Sequence, residues 1–155
     1  MNILATQYTL QNKSLDIYIA GCRGDNGVHC TSCHNSESWE FNQGDKYTEY
    51  YFNTLQNKVK EFDNIIDNIM IFGGEPNDQN KDELLHFLID LKSLNKKIWL
   101  FTRYSFKDLP KFEYTLCDYI RCGAYLPGLK TDNNLQYGIQ LATSNQNIYK
   151  NGIDY

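Results

Sequence analysis

The sequence predicts an α/β fold built on a mainly parallel sheet. Short apolar runs of strand length alternate with longer stretches of helical periodicity, and the runs end on glycine or polar turn residues. Leu15-Asp16-Ile17-Tyr18-Ile19-Ala20 alternates with period two and is expected to be a strand running into Gly21-Cys22. The polar, glycine-punctuated stretch from Cys22 to about Gly44 is expected to be a loop. Leu55, Val59 and Phe62 recur at helical spacing, which predicts an amphipathic helix from Lys46 to about Phe62. Asn68-Ile69-Met70-Ile71-Phe72, stopped by Gly73-Gly74, has the character of a buried parallel strand. A second helix is expected near Asn80, which with Glu83 resembles a capping box, and Leu84, Phe87, Leu88, Leu91 and Leu94 form its buried stripe. Lys97 to Thr102 and Asp118 to Cys122 are further predicted strands, with a helical turn near Phe106 to Leu109 between them. The tail from Tyr137 to Tyr149 is expected to add one more strand.

In such sheets, joined by right-handed crossovers, functional groups gather at the carboxyl ends of the strands. Cys22, Gly73-Gly74-Glu75-Pro76 and Thr102-Arg103-Tyr104 each follow a predicted strand directly, so they are expected to share one edge.

At 155 residues the chain fits a single domain spanning 1–155, without an internal repeat or low-complexity linker. A formal charge of −4 argues against a protein whose main task is gripping nucleic acid. No apolar run approaches the roughly 20 residues that span a bilayer. The N-terminus lacks the pattern of a secretory signal, so a cytoplasmic address is expected. Five cysteines in that setting do not make a disulfide framework. Three of them, Cys22, Cys30 and Cys33, fall within twelve residues, and clustered thiols in a reducing compartment favour metal or redox chemistry. Cys117 and Cys122 are expected to be buried thiols without that role.

The loop from Cys22 to His34 admits several chemistries. Three thiolates can hold an iron–sulfur cluster and leave one iron open for a ligand. His29 or His34 could instead complete a Cys₃His zinc site. Cys30-Thr31-Ser32-Cys33-His34 also matches the haem-attachment motif, although that motif belongs with exported proteins. Three unrelated thiols are the plainest alternative, but such a loop would expose oxidisable groups to no purpose. Gly73-Gly74-Glu75-Pro76 is compatible with a tight turn. Its glycines would equally allow close backbone approach to a ligand, and strand-end carbonyls beside a carboxylate could receive an ammonium group.

With these motifs together, the chain resembles the radical S-adenosylmethionine enzymes, and most closely their small members that activate anaerobic (class III) ribonucleotide reductase. The resemblance rests on Cys30 to Trp39, on Gly73-Gly74-Glu75-Pro76, on Trp99 to Tyr104 and on Ala142-Thr143-Ser144-Asn145-Gln146, in that order along the chain. It implies a [4Fe-4S] cluster held by Cys22, Cys30 and Cys33, and S-adenosylmethionine bound near Gly73, Gly74, Glu75 and Pro76. Thr102, Tyr104 and Asn145 are implied as further cofactor contacts, whereas Arg103 is either a contact or a surface residue. It also implies reductive cleavage to a 5′-deoxyadenosyl radical, with the hydrogen taken from a glycine of a large glycyl-radical partner, the reductase catalytic subunit. An electron donor such as flavodoxin or ferredoxin would supply the electron. Alternatives are a different protein, peptide or small-molecule target, and a zinc-stabilised module without catalysis.

A full barrel needs about 250 residues, so the implied fold is an incomplete, partial TIM-like barrel with an open side. Two departures stand out. Seven residues separate Cys22 from Cys30, where the family usually has three; the turn-rich Gly24, Asp25, Asn26 and Gly27 could loop out, or His29 could replace Cys22. The glycine-rich segment that activases often carry ahead of the cluster strand is absent from Tyr8 to Ser14.

Overall fold

The computed structural model describes residues 1–31 and 33–155. Ser32, between the second and third clustered cysteines, lies outside the described residues. In chain order the elements are β1 (Asn2–Thr9), β2 (Ser14–Ala20), β3 (Asp45–Lys46), α1 (Glu49–Glu61), β4 (Asn68–Gly73), α2 (Lys81–Lys92) and β5 (Lys97–Phe101). They continue with α3 (Lys111–Leu116), β6 (Tyr119–Cys122), β7 (Leu135–Gln136), β8 (Ile139–Gln140) and β9 (Asn147–Lys150).

Seven strands form one sheet in the order β3-β1-β2-β4-β5-β6-β9, and β7-β8 form a separate hairpin. The four central strands β2, β4, β5 and β6 are parallel, as their sequences predict. β1 runs antiparallel to β2, β3 to β1, and β9 to β6, so both flanks are antiparallel. The sheet is therefore mixed and open, with β3 and β9 at its edges.

Each parallel crossover steps to the next strand in the same direction, which under the right-handed rule stacks all three helices on one face. The packing agrees. Leu55 and Val59 of α1 and Leu84, Phe87, Leu88 and Leu91 of α2 join Leu15, Ile17, Ile69, Ile71, Ile98, Leu100 and Ile120 in one core. The intervening strand residues point to the other face, where Met70, Trp99, Tyr119, Leu141 and Ile148 make a smaller cluster. Tyr18, Phe72 and Phe101 continue this face towards the strand ends, with Phe72 and Phe101 rings 4.3 Å apart.

Several boundaries differ from expectation. The first helix begins at Glu49, because Asp45–Lys46 pairs with β1 and the Thr48 hydroxyl caps the helix at the Tyr51 amide. Leu94 lies just past the end of α2 and packs on the core from there. The turn at Phe106–Asp108 is present, and α3 follows it unpredicted. The C-terminal tail does add a strand, β9, but its beginning at Ile139–Gln140 pairs back on Leu135–Gln136 as a separate hairpin. No helix is long and apolar enough to cross a membrane among the described residues.

Candidate functional site

The ends of the parallel strands converge as the chain order predicts. The β4 end is drawn against the β2 end by two hydrogen bonds, Gly74 N–H to the Ile19 carbonyl and Glu75 N–H to the Gly21 carbonyl, both 2.8 Å. The glycines are required by this approach. Gly73 has φ +102°, and a Cβ there would collide with the Ile19 backbone, as one at Gly74 would with the Gly21 carbonyl. Their missing side chains thus make room for the protein's own backbone, and the same two residues line the cavity described below.

Glu75 ties the next strand in. It is 2% exposed, accepts from the Thr102 hydroxyl at 2.5 Å, the Arg103 amide at 2.7 Å and the Asn77 amide at 3.0 Å, and thereby locks the β5 end to the β4 end. Burial pushes its carboxyl above the usual range, and these three donors pull it back part of the way. Asp78, 4% exposed, does the same for the cysteine loop: it accepts from the Arg23 amide, the Arg103 guanidinium and the Tyr104 hydroxyl. Gln79 adds bonds from its side-chain amide to the Ala20 and Gly21 carbonyls.

This framework surrounds a cavity of about 370 Å³, within the range of ligand pockets. Cys22, Cys30 and Cys33 all line it, together with Gly73, Gly74, Glu75 and Thr102. Each of the three thiols is half-buried. Burial raises the Cys22 thiol, partly offset by the Gly24 amide donating to its sulfur at 3.4 Å. Other expected residues stand outside the cavity lining. Pro76 opens the buried turn that carries Asp78, Tyr104 donates to Asp78, and Asn145 donates to the Ala124 carbonyl at 2.9 Å. Arg103 is anchored rather than free on the surface, its guanidinium 3.0 Å from Asp78. Cys117 and Cys122 are buried in the main core, as expected.

The donors that the loop brings to the cavity are three thiols. A Cys₃His zinc site needs four donors within about 2.3 Å of one metal. No three His, Cys, Asp or Glu side chains gather around one point among the described residues. The three thiols line one cavity, and three thiolates are a donor set that an iron–sulfur cluster takes. The His29 ring is committed elsewhere: it stacks on Trp39 at 4.0 Å and its Nε2 lies 2.8 Å from the Cys22 carbonyl.

Among the cavity residues to which the sequence reading assigned no role are Phe72, Phe101 and Arg121. Phe72 and Phe101 form an aromatic wall. Arg121, at the β6 end, holds the Thr102 and Gly123 carbonyls with one guanidinium nitrogen, Nη1, at 3.3 and 3.0 Å. It has no carboxylate within 4 Å among the described residues, so the rest of its fork is free to meet an anion in the cavity. Burial lowers its pKa, against the pull of Glu75, Cys122 and Cys30. The missed signal is period two: Arg121 pairs with Phe101 in register, and Phe72 pairs with Tyr18, all on the face away from the helices.

An α/β sheet with a three-cysteine cavity at its strand ends is in keeping with the family match: the chain belongs to the family of 4Fe-4S single cluster domains, an iron–sulfur class, which it matches over residues 13–148. Its relatives narrow this. It is 26% identical over 140 residues to the anaerobic ribonucleoside-triphosphate reductase-activating protein of Enterobacteria phage T4, covering 87% of this chain and 82% of that one. It is 27% identical over 108 residues to the protein of the same description from Haemophilus influenzae, and 26% over 108 residues to that from Vibrio cholerae. Each of these two matches covers 67% of this chain and 66% of the relative. The resemblance carried by the motifs is therefore to the right group of proteins.

Proposed function

We propose that this protein is a radical S-adenosylmethionine activase of anaerobic ribonucleotide reductase, a single domain over residues 1–155 with an incomplete-barrel architecture. The observation that carries the reading is the meeting of the cysteine loop, the Gly73-Gly74-Glu75 strand end and the free fork of Arg121 in one cavity. When bound, the cluster and S-adenosylmethionine supply one-electron cleavage of the sulfonium C–S bond, giving methionine and a 5′-deoxyadenosyl radical that takes a hydrogen atom from a glycine of the partner.

The chain's own part is to hold, orient and shield. Cys22, Cys30 and Cys33 hold the cluster. Arg121 offers two parallel N–H groups, the geometry that suits a carboxylate such as that of the methionine moiety. The Gly73-Gly74 edge lines the same space, while Glu75 keeps that edge fixed against Thr102 and Arg103. Phe72 and Phe101 wall the cavity with apolar surface and keep water from one side. The partner is the large catalytic subunit of the reductase, the electron comes from a flavodoxin or ferredoxin, and the setting is cytoplasmic.

Product analysis tests the reading. Protein reconstituted anaerobically with iron and sulfide, then reduced and given S-adenosylmethionine, is expected to release 5′-deoxyadenosine, and Cys33→Ala is expected to release none. Absence of product from the fully loaded wild-type protein would sink the proposal.

A further inference from the structure

Four residues of the cysteine loop close on themselves. The Asp25 amide donates to the Val28 carbonyl at 2.8 Å, and the Val28 amide returns to the Asp25 carbonyl at 2.9 Å. Between them Asn26 (φ +50°) and Gly27 (φ +81°) take the two left-handed positions of a tight hairpin turn. All four residues are exposed. At the base, buried Gly24 packs so closely on the Val28 carbonyl and the His29 nitrogen that a Cβ would collide with both. The chain leaves at Gly24 and comes back beside it at His29.

The residues on either side are held independently of that turn. The Cys22 amide donates to the Trp39 carbonyl at 2.9 Å, and the Arg23 amide donates to Asp78 at 2.6 Å. The Cys22 carbonyl faces His29 Nε2 at 2.8 Å. A carbonyl only accepts, so that ring nitrogen carries the proton. The same imidazole lies flat on the Trp39 indole, 4.0 Å away and 7° from parallel. His29 is covalently joined to Cys30, so one ring fixes Cys30 to the peptide of Cys22 and to the far side of the loop.

We propose that Asp25–Val28 is a removable turn, and that His29, clamped between Trp39 and the Cys22 carbonyl, is the positioning residue that sets the separation of Cys22 and Cys30. This rests on the assignment of the three cysteines as cluster ligands. Removing residues 25 to 28 joins Gly24 to His29 and leaves Cys22-Arg23-Gly24-His29-Cys30, which shortens the spacing from seven residues to three.

The test compares four proteins after anaerobic reconstitution: wild type, the chain lacking residues 25 to 28, His29→Phe and Cys30→Ala. Iron and sulfide content, resistance of the iron to a competing chelator and the electron paramagnetic resonance spectrum of the reduced cluster are measured, with circular dichroism and apo-protein melting as controls on folding. The shortened chain is expected to fold and to match wild type in all three cluster measurements. His29→Phe keeps a stacking ring but loses the N–H donor. It is expected to melt like wild type without iron, yet to hold iron roughly 10- to 100-fold less tightly, as outer partners of metal ligands usually do, with an altered spectrum. A shortened chain that misfolds or loses its cluster overturns the proposal, as does a His29→Phe protein with wild-type retention and spectrum. Full iron content in Cys30→Ala would instead overturn the ligand assignment beneath it.

Discussion

Glu113 carries a buried carboxyl that folding leaves poorly partnered among the described residues. It is 0% exposed, neither oxygen has a hydrogen bond of ordinary geometry, and burial raises its pKa to about 8, with the nearby Asn77 amide offsetting part of the rise. The folded state therefore holds a proton that the unfolded chain releases near pH 4.5. Between those values the native protein binds more protons, so stability falls as pH rises. The stabilising contribution of the neutral acid is complete below about pH 4.5 and lost by about pH 8. Denaturant-unfolding free energies measured across that window should decline for wild type relative to Glu113→Gln, by on the order of a few kcal/mol in total. A pH-independent difference between the two proteins would refute this. Residues were legible in the sequence to the degree that their chemistry is local: three thiols close together in a loop announce themselves. Glu113 and Arg121 did not, because their significance lies in what surrounds them in space.

Helix α2 shows how far local signals reach. The Asn80 side chain accepts from the Asp82 and Glu83 amides at 2.9 and 3.2 Å, so the predicted start of the helix is correct. The capping box is only half made, since the Glu83 carboxylate turns to the Met1 ammonium instead. Asn80→Ala should cost about 1 kcal/mol, a fall of roughly 2–4 °C in melting temperature at this chain length, and an unchanged melt would show the cap to be idle. The parallel strands were equally legible, β2 from its period-two alternation and β4 as a short apolar run stopped by Gly73-Gly74. β1 was not: Asn2–Thr9 buries Ile3 but leaves most of its residues partly or fully exposed, so its pairing with β2 is decided by partners the sequence does not display. The same holds for β3, two exposed residues recruited by an edge, and for the tail, where residues 141–146 separate β8 from β9.

Across the whole molecule, the core and the cysteine loop are separate structures. Both hydrophobic clusters are built from strands, helices and the C-terminal segments, and none of the described residues from 22 to 44 belongs to either. Anaerobic chelation of the iron should consequently leave the far-UV circular dichroism of the sheet and helices in place while making the 22–44 segment open to proteolysis. Collapse of the whole spectrum on chelation would show that the metal supports the fold. The cavity, by contrast, belongs to both structures, because the strand ends furnish one wall and the loop the other.

The direction of the last strand also limits what this architecture can grow into. Another strand–helix unit of the repeating kind would have to add parallel to β6, and that edge is taken by β9 running the opposite way. On the far side β1 and β3 terminate the sheet in the same manner. Antiparallel strands thus occupy both edges of the parallel core. With both edges of the parallel core taken, the cavity at its strand ends is bounded by four parallel strands.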